Sequence, residues 1–282
     1  MDRASRTAEA VAIRRAVHQV VDVPPVFVDP IAIHMLGADT AARLRAHPRA
    51  FDRSRVGRYL RAFLAARSRF AEDCVREAVA RGVEQYVLLG AGFDTFAYRN
   101  PFPQLRVFEV DHPATQEAKR RRLARAHVAV PPTVSYVPID FAQEPLHFGA
   151  TFDASKPAIC AWLGVLPYLD RPAIESVLRH VASLPPGSEI IFDYGLPPSS
   201  LSWLSRLVYR AMARRVAAAG EPWKSFFTPP EMRTLLRDFT TVEDLGPDEI
   251  NARYFAARRD GLRVGGAGRV VRAAVSLQLV AV

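Results

Sequence analysis

Short apolar runs alternate with stretches of period three to four from about residue 83 onward. The runs 86–90, 105–110, 134–138, 157–163 and 188–194 have the length and composition of buried strands. Between them, 113–127 and 171–183 carry helical periodicity, with Pro113 and Pro172 near their starts, where proline is well tolerated. Val242–Leu245 and the apolar tail Val270–Val282 read as final strands that pair antiparallel. Such alternation predicts an α/β fold with a doubly wound, mostly parallel seven-stranded sheet. Upstream, residues 1–20 read as an amphipathic helix with Val11, Ile13, Val17 and Val20 among arginines. Val23-Pro-Pro breaks it, and Asp29-Pro30 is expected to open another helix. A longer helix is predicted from Asp52 to Arg81. Phe63, Arg67 and Phe70 fall on one of its faces, which lays Arg67 along an apolar seam. The predicted organisation is a single domain over 1–282. It comprises a helical N-terminal cap (1–82), a cofactor-binding core (83–194), a helical insertion forming a lid (195–237) and C-terminal strands (238–282).

Candidate chemistry concentrates between residues 86 and 111. The run Tyr86–Leu89 stops on Gly90-Ala91-Gly92, where two glycines let the backbone turn sharply and approach a ligand with no Cβ in the way. The next strand carries Glu109 and ends on Asp111; alternate residues share a strand face, so the two carboxylates point the same way. An acid about 20 positions after a glycine turn is where α/β nucleotide folds grip ribose hydroxyls. A dinucleotide site wants a third glycine, but Thr95 stands there, with Asp94 just before it. A carboxylate in the turn repels a pyrophosphate at short range and suits a cationic ligand. S-adenosylmethionine (SAM), with a sulfonium, an ammonium and no phosphate, is therefore the expected cofactor, ahead of NAD.

Gly90-Ala-Gly-Phe-Asp-Thr followed by Phe108-Glu-Val-Asp resembles the leucine carboxyl methyltransferase group of class I, Rossmann-like SAM methyltransferases. That group includes protein phosphatase methyltransferases and bacterial relatives acting on small molecules. Further segments fall in the family's order: Arg67-Ser-Arg-Phe, Pro138-Ile-Asp-Phe, Trp162-Leu-Gly-Val-Leu-Pro-Tyr-Leu and Arg253-Tyr-Phe. The resemblance implies that Arg67, helped by Arg69, holds the SAM carboxylate, a task suited to a planar guanidinium. It implies that Gly90 and Gly92 pass close to the methionine moiety, and that Asp111, with Glu109 beside it, takes the ribose hydroxyls. Asp140 and Phe141 would meet the adenine. One departure stands out: Leu163 occupies the position of a family glutamate and removes one expected polar contact.

Composition narrows the partners. The net charge of +9 comes almost wholly from arginine, since Lys119, Lys156 and Lys224 are the only lysines. The densest basic run, Lys119–Arg125, lies on a predicted helix without interleaved aromatics, as a solvated face does, so nucleic acid is not the expected partner. Cys74 and Cys160 form neither a Cys-x-x-Cys nor a Cys/His cluster, so neither a metal nor a disulfide is expected. No run is long enough to span a membrane and the N-terminus is charged, which makes the cytoplasm the expected location. Together these point to SAM-dependent, metal-independent O-methylation of a carboxylate or hydroxyl on a small acidic or aromatic molecule. The alternatives are a non-catalytic SAM-binding protein or an RNA-modifying methyltransferase. A carboxylate acceptor needs no general base, whereas a hydroxyl does. The conspicuous candidates for a base are His18, His34, Asp193 and Tyr168; Tyr168 is assigned to substrate orientation. The sequence leaves the acceptor and the oligomeric state open.

Overall fold

The computed structural model describes residues 6–51, 54–141, 144–218, 220 and 222–276. Three helices come first: α1 (Arg6–Val21), α2 (Ala38–Ala46) and α3 (Arg55–Ala80). The remainder alternates: β1 (Gln85–Leu89), β2 (Arg106–Asp111), α4 (Pro113–Arg125), β3 (Val134–Pro138), β4 (Ile159–Trp162), α5 (Arg171–Ala182) and β5 (Glu189–Gly195). It ends with α6 (Trp203–Ala218), α7 (Pro229–Leu235), β6 (Thr241–Leu245), α8 (Pro247–Tyr254) and β7 (Gly268–Ala274). The seven strands form one sheet in the order β3-β2-β1-β4-β5-β7-β6. All contacts among β1–β5 are parallel, while β7 runs antiparallel to both β5 and β6. This is a Rossmann-like α/β fold, and the antiparallel pair expected at the end of the chain is β6–β7. Residues 1–5 of the expected first helix, Asp52 at the expected start of the long one, and 277–282 of the expected final strand lie outside the described residues.

Both faces of the sheet are covered, which explains why β1 reads as an unbroken buried run instead of an alternating one. Tyr86 and Leu88 pack toward α3, among Ala66, Phe70 and Val75. Val87 and Leu89 pack toward α5. That helix buries Ile174, Val177, Leu178 and Val181 at the i, i+3, i+4, i+7 spacing, each worth roughly 1.5–3 kcal/mol. Local signals set its start: Asp170 accepts from the Ala173 N–H at 3.1 Å, and Pro172 occupies the first turn. Ser54 caps α3 in the same way through the Gly57 N–H, at 2.9 Å.

The sequence expectation fails at Asp29-Pro30. That segment is a turn followed by a short 3-10 stretch at His34–Leu36, and α2 begins at Ala38. Asp29 does accept the Ala32 N–H as a helix cap would, but its buried carboxylate is committed to Arg15 and Thr95 as well. These links hold the loop against the core and stop a helix from propagating.

The strand order reverses direction between β1 and β4. Chain connections leave toward β2 and β3 on one side and toward β5 on the other, which opens a crevice beyond the carboxyl ends of β1 and β4.

Candidate active site

Gly90 and Gly92, directly after β1, both adopt positive φ, +66° and +47°. The Gly90 N–H donates to the Val110 carbonyl at 2.8 Å, which folds the turn back onto β2. A Cβ on Gly90 would meet Val165 Cγ2 at 2.3 Å, and one on Gly92 would meet Ala8 Cβ at 3.3 Å. The turn therefore lies between the loop after β4 and helix α1. Asp111, at the end of β2, closes it from the other side. Its Oδ2 accepts from the Gly92 N–H at 2.5 Å and its Oδ1 from the His112 N–H at 2.6 Å. Burial pushes the Asp111 carboxyl up from its ordinary range, and the two N–H donors oppose that rise. A carboxylate accepts about four hydrogen bonds, so acceptor capacity remains for hydroxyl donors from a ligand.

Arg67 projects from α3 beneath β4. Its Nη1 donates to Asp193 Oδ2 at 2.7 Å, and Asp193 Oδ1 accepts the Gly164 N–H at 2.6 Å. The other guanidinium nitrogens make no hydrogen bond to a described residue, which leaves part of the planar fork for a carboxylate. A second buried cation escaped the sequence reading. Arg15 of α1 donates to Asp94 at 2.6 Å and to Asp29 at 2.8 Å, joining α1 to the glycine turn. Burial works against ionised Asp94, but Arg15, Lys119 and Arg99 outweigh it and hold that carboxyl well below the usual range. The charge of Asp94 is therefore largely met by protein cations. One sequence signal did point to such a partner: a carboxylate inside a buried glycine turn requires a nearby cation.

One cavity of about 450 Å³ unites these groups. Of the residues predicted from sequence, Arg67, Gly90, Gly92, Asp111, Asp140, Phe141 and Tyr168 line it, as does Leu163. Two do not. Arg69 sits on the far side of α3, 44% exposed, and pairs with Asp73 at 2.9 Å. Two residues along a helix turn the side chain by about 200°, so Arg67 and Arg69 cannot serve one ligand. Glu109 shares the face of Asp111 but lies two residues deeper under α4. It is fully buried, 2.7 Å from Lys119 Nζ and 3.0 Å from Tyr98 Oη. Neither residue reaches the cavity.

The candidate bases also separate. His18 is buried away from the cavity, with Nε2 accepting from the Val26 and Phe27 N–H groups and Nδ1 2.7 Å from Asp22. His34 is exposed on the 3-10 turn. Asp193 is occupied in holding Arg67. Tyr168 lines the cavity and accepts from Trp223 Nε1 at 3.2 Å.

The leucine carboxyl methyltransferase family model matches residues 8–182. The chain belongs to this family. It is 33% identical over 289 aligned residues to a Bacillus subtilis protein named "Putative S-adenosyl-L-methionine-dependent methyltransferase YktD", covering 93% of this chain and 94% of that one. A Mycobacteroides abscessus protein of the same description without the final designation is 31% identical, over 71% of this chain and 67% of that one. Solved structures share the fold at low identity. A DUF574 family protein from Streptomyces avermitilis gives a TM-score of 0.59 at 20% identity, over 96% of this chain and 98% of that chain. A structure titled as a putative methyltransferase from Thermobifida fusca also gives 0.59, at 19% identity over 98% and 96%.

The family match runs from α1 to the end of α5. It includes the glycine turn, Asp111, Asp140, Phe141, Arg67 and the loop after β4. Gly220, Pro222 and Lys224, which complete the cavity wall, lie beyond it.

Proposed function

We propose that this protein is a SAM-dependent O-methyltransferase that modifies a carboxylate or hydroxyl of a small molecule. The observation that carries this reading is the convergence of three groups on one cavity at the strand-order reversal. They are a glycine turn closed by Asp111, a half-committed Arg67 guanidinium, and the Asp140–Phe141 pair after β3. These residues fit a zwitterionic nucleoside. Arg67 would receive its carboxylate, Asp111 its ribose hydroxyls, and Asp140 with Phe141 its adenine. The names of the relatives support the same cofactor. When bound, SAM supplies a methyl group already activated by positive sulfur, and in-line transfer to an acceptor oxygen leaves neutral S-adenosylhomocysteine.

The chain's own contribution is then binding, alignment and exclusion of water. Helix α1 covers the glycine turn, and the stretch around 222–225 covers the loop after β4. Tyr168 would orient the acceptor with its hydroxyl, itself fixed by Trp223. No histidine occupies a base position beside Tyr168 among the described residues lining the cavity; His112 lies at the β2 end, with Nδ1 accepting the Ala114 N–H. An acceptor already ionised at neutral pH suits this arrangement, because a carboxylate loses no proton on methylation.

The test is calorimetric titration with SAM, S-adenosylhomocysteine and NAD, for the native protein and Asp111→Ala. The reading expects binding of the first two ligands, loss in the variant, and methyl uptake by carboxylic acids in a mass-spectrometric screen. Binding of NAD alone would overturn it.

A further inference from the structure

The cavity is electrically lopsided. The described carboxylates that line it lie on one side: Asp111 ends β2 and Asp140 follows β3, while Asp94, after β1, is already met by Arg15. On the β4 side the lining residues are Leu163, Gly164, Val165, Tyr168 and Leu169, and no acid is among them. Lys224 lines the same cavity, its backbone against the loop after β4. Of the three lysines, Lys119 pairs with Glu109 and Lys156 with Glu84, whereas Lys224 meets no carboxylate among the described residues. Of the cavity's two arginines, Arg15 is committed to Asp94 and Asp29, and Arg67 gives one nitrogen to Asp193 while the rest of its fork is assigned to the cofactor carboxylate. Among the described residues, Lys224 is thus the cation of this cavity that meets no carboxylate.

Its placement is built. The Lys224 N–H donates to the Pro167 carbonyl at 2.7 Å, and the Ser225 N–H shares that acceptor at 3.3 Å. Ser225 Oγ donates to the Leu169 carbonyl at 2.5 Å, and Trp223 Nε1 to Tyr168 Oη at 3.2 Å. Trp223 is in turn packed against Tyr209, ring centroids 5.1 Å apart. Two backbone and two side-chain hydrogen bonds thus fix 223–225 against residues 167–169, while the Lys224 side chain makes no hydrogen bond to a described residue. Sheet order places this turn on the opposite side of β1 from Asp111 and Asp140, away from the groups assigned to the nucleoside.

We infer that Lys224 is a specificity-determining residue that pairs with a carboxylate of the methyl acceptor and selects acidic acceptors over their neutral counterparts. This rests on the methyltransferase reading above. An ammonium lining a cleft that shows no acid on its β4 side among the described residues attracts anions during encounter and pairs with them once bound. A charge-assisted contact of this kind corresponds to roughly tenfold or more in affinity.

The experiment uses the full chain saturated with S-adenosylhomocysteine. Matched pairs of aliphatic and aromatic carboxylic acids and their primary amides are titrated calorimetrically into native protein, Lys224→Met and Lys224→Arg. Acids are expected to bind at least tenfold more tightly than their amides to the native chain. That preference should vanish in Lys224→Met through weaker acid binding alone, and persist in Lys224→Arg. S-adenosylhomocysteine affinity, measured beforehand on each protein, separates the two claims. If it is absent throughout, the cofactor reading fails. If it is intact but the acids show no preference, or keep one in Lys224→Met, the assignment of Lys224 is overturned.

Discussion

Gly164→Ala tests how the Arg67 site is held. Gly164 lies at φ +72°, and a Cβ there would stand 2.7 Å from Arg67 Nη2, 3.0 Å from Nη1 and 3.2 Å from Cζ. Carbon and nitrogen do not approach that closely, so something must move. The guanidinium is the more mobile group, yet it is tied to Asp193, whose other oxygen holds the Gly164 N–H. Moving Arg67 therefore strains the very link that aims it. Two costs arise beside that strain. The backbone penalty for a left-handed alanine is about 1–2 kcal/mol, a few degrees in Tm for a chain of this size. The site penalty is the loss of charge-assisted hydrogen bonds to a ligand carboxylate, about 1.5–3 kcal/mol, or roughly 10- to 100-fold in Kd. Gly82→Ala supplies the control, because Gly82 sits at φ +94° and a Cβ there would meet nothing within 4 Å. Both variants should lose Tm, Gly164→Ala the more because it also strains the Arg67–Asp193 pair; only Gly164→Ala should lose S-adenosylhomocysteine affinity by calorimetry. A folded Gly164→Ala that binds as tightly as Gly82→Ala would refute the role given to Arg67.

Three further outcomes follow from the same structure. Lys119→Met strands the buried Glu109 carboxylate and should destabilise the fold by about 3 kcal/mol at neutral pH. Burial already raises the Glu109 pKa, so the folded state takes up the proton more readily than the unfolded one, and the deficit should shrink as pH falls; a denaturant series at pH 5 and pH 8 that shows no difference contradicts this. At Asp22, burial acts to raise the pKa, but hydrogen bonds from His18 and Arg61 outweigh it and hold the carboxyl at about 2. A depressed folded-state pKa gives stability that is present above the unfolded value, near 4, and lost as pH drops toward 2. Asp22→Asn should remove about 2 kcal/mol of that acid-sensitive stability, which appears as a flatter Tm profile between pH 4 and pH 2. Tyr168→Phe should leave S-adenosylhomocysteine binding within about twofold, as no cofactor contact is assigned to it, while lowering kcat/KM for the acceptor about tenfold; equal loss of both would place Tyr168 in the cofactor site instead.

The parts of the site legible in the sequence are those governed by local rules. Gly90, Gly92 and Asp111 follow from a strand ending on a glycine turn and from period-two alternation, and the structure joins them through one hydrogen bond. The seam position of Arg67 follows from helical spacing. Arg69 was misplaced because a motif read as a string ignores the turn of the helix between its two arginines. Glu109 was misplaced because alternation gives the face of a strand but not the depth. Two residues back from Asp111 is about 6.6 Å toward the interior, far enough for Lys119 on α4 to cover it. Nothing local reveals Asp193 as the partner of Arg67, 126 positions away, since that pairing exists only once α3 is packed beneath β5.

Asp94 shows how such distant pairings alter a chemical argument. In the sequence its carboxylate in the glycine turn weighs against a pyrophosphate and for a cation. In the folded chain Arg15 meets that charge at 2.6 Å, so Asp94 contributes little net field to a ligand. What still opposes a dinucleotide is steric and local. Thr95, in the place of a third glycine, is buried with its Oγ1 donating to Asp29 at 2.8 Å, and it holds the turn against the N-terminal loop where a phosphate-binding helix would otherwise begin. The same Arg15 link draws α1 across the turn until Ala8 approaches Gly92. The residue first read as a cofactor discriminator thus acts as an anchor for the N-terminal wall of the site, and discrimination passes to the geometry around Gly92, Asp111 and Arg67.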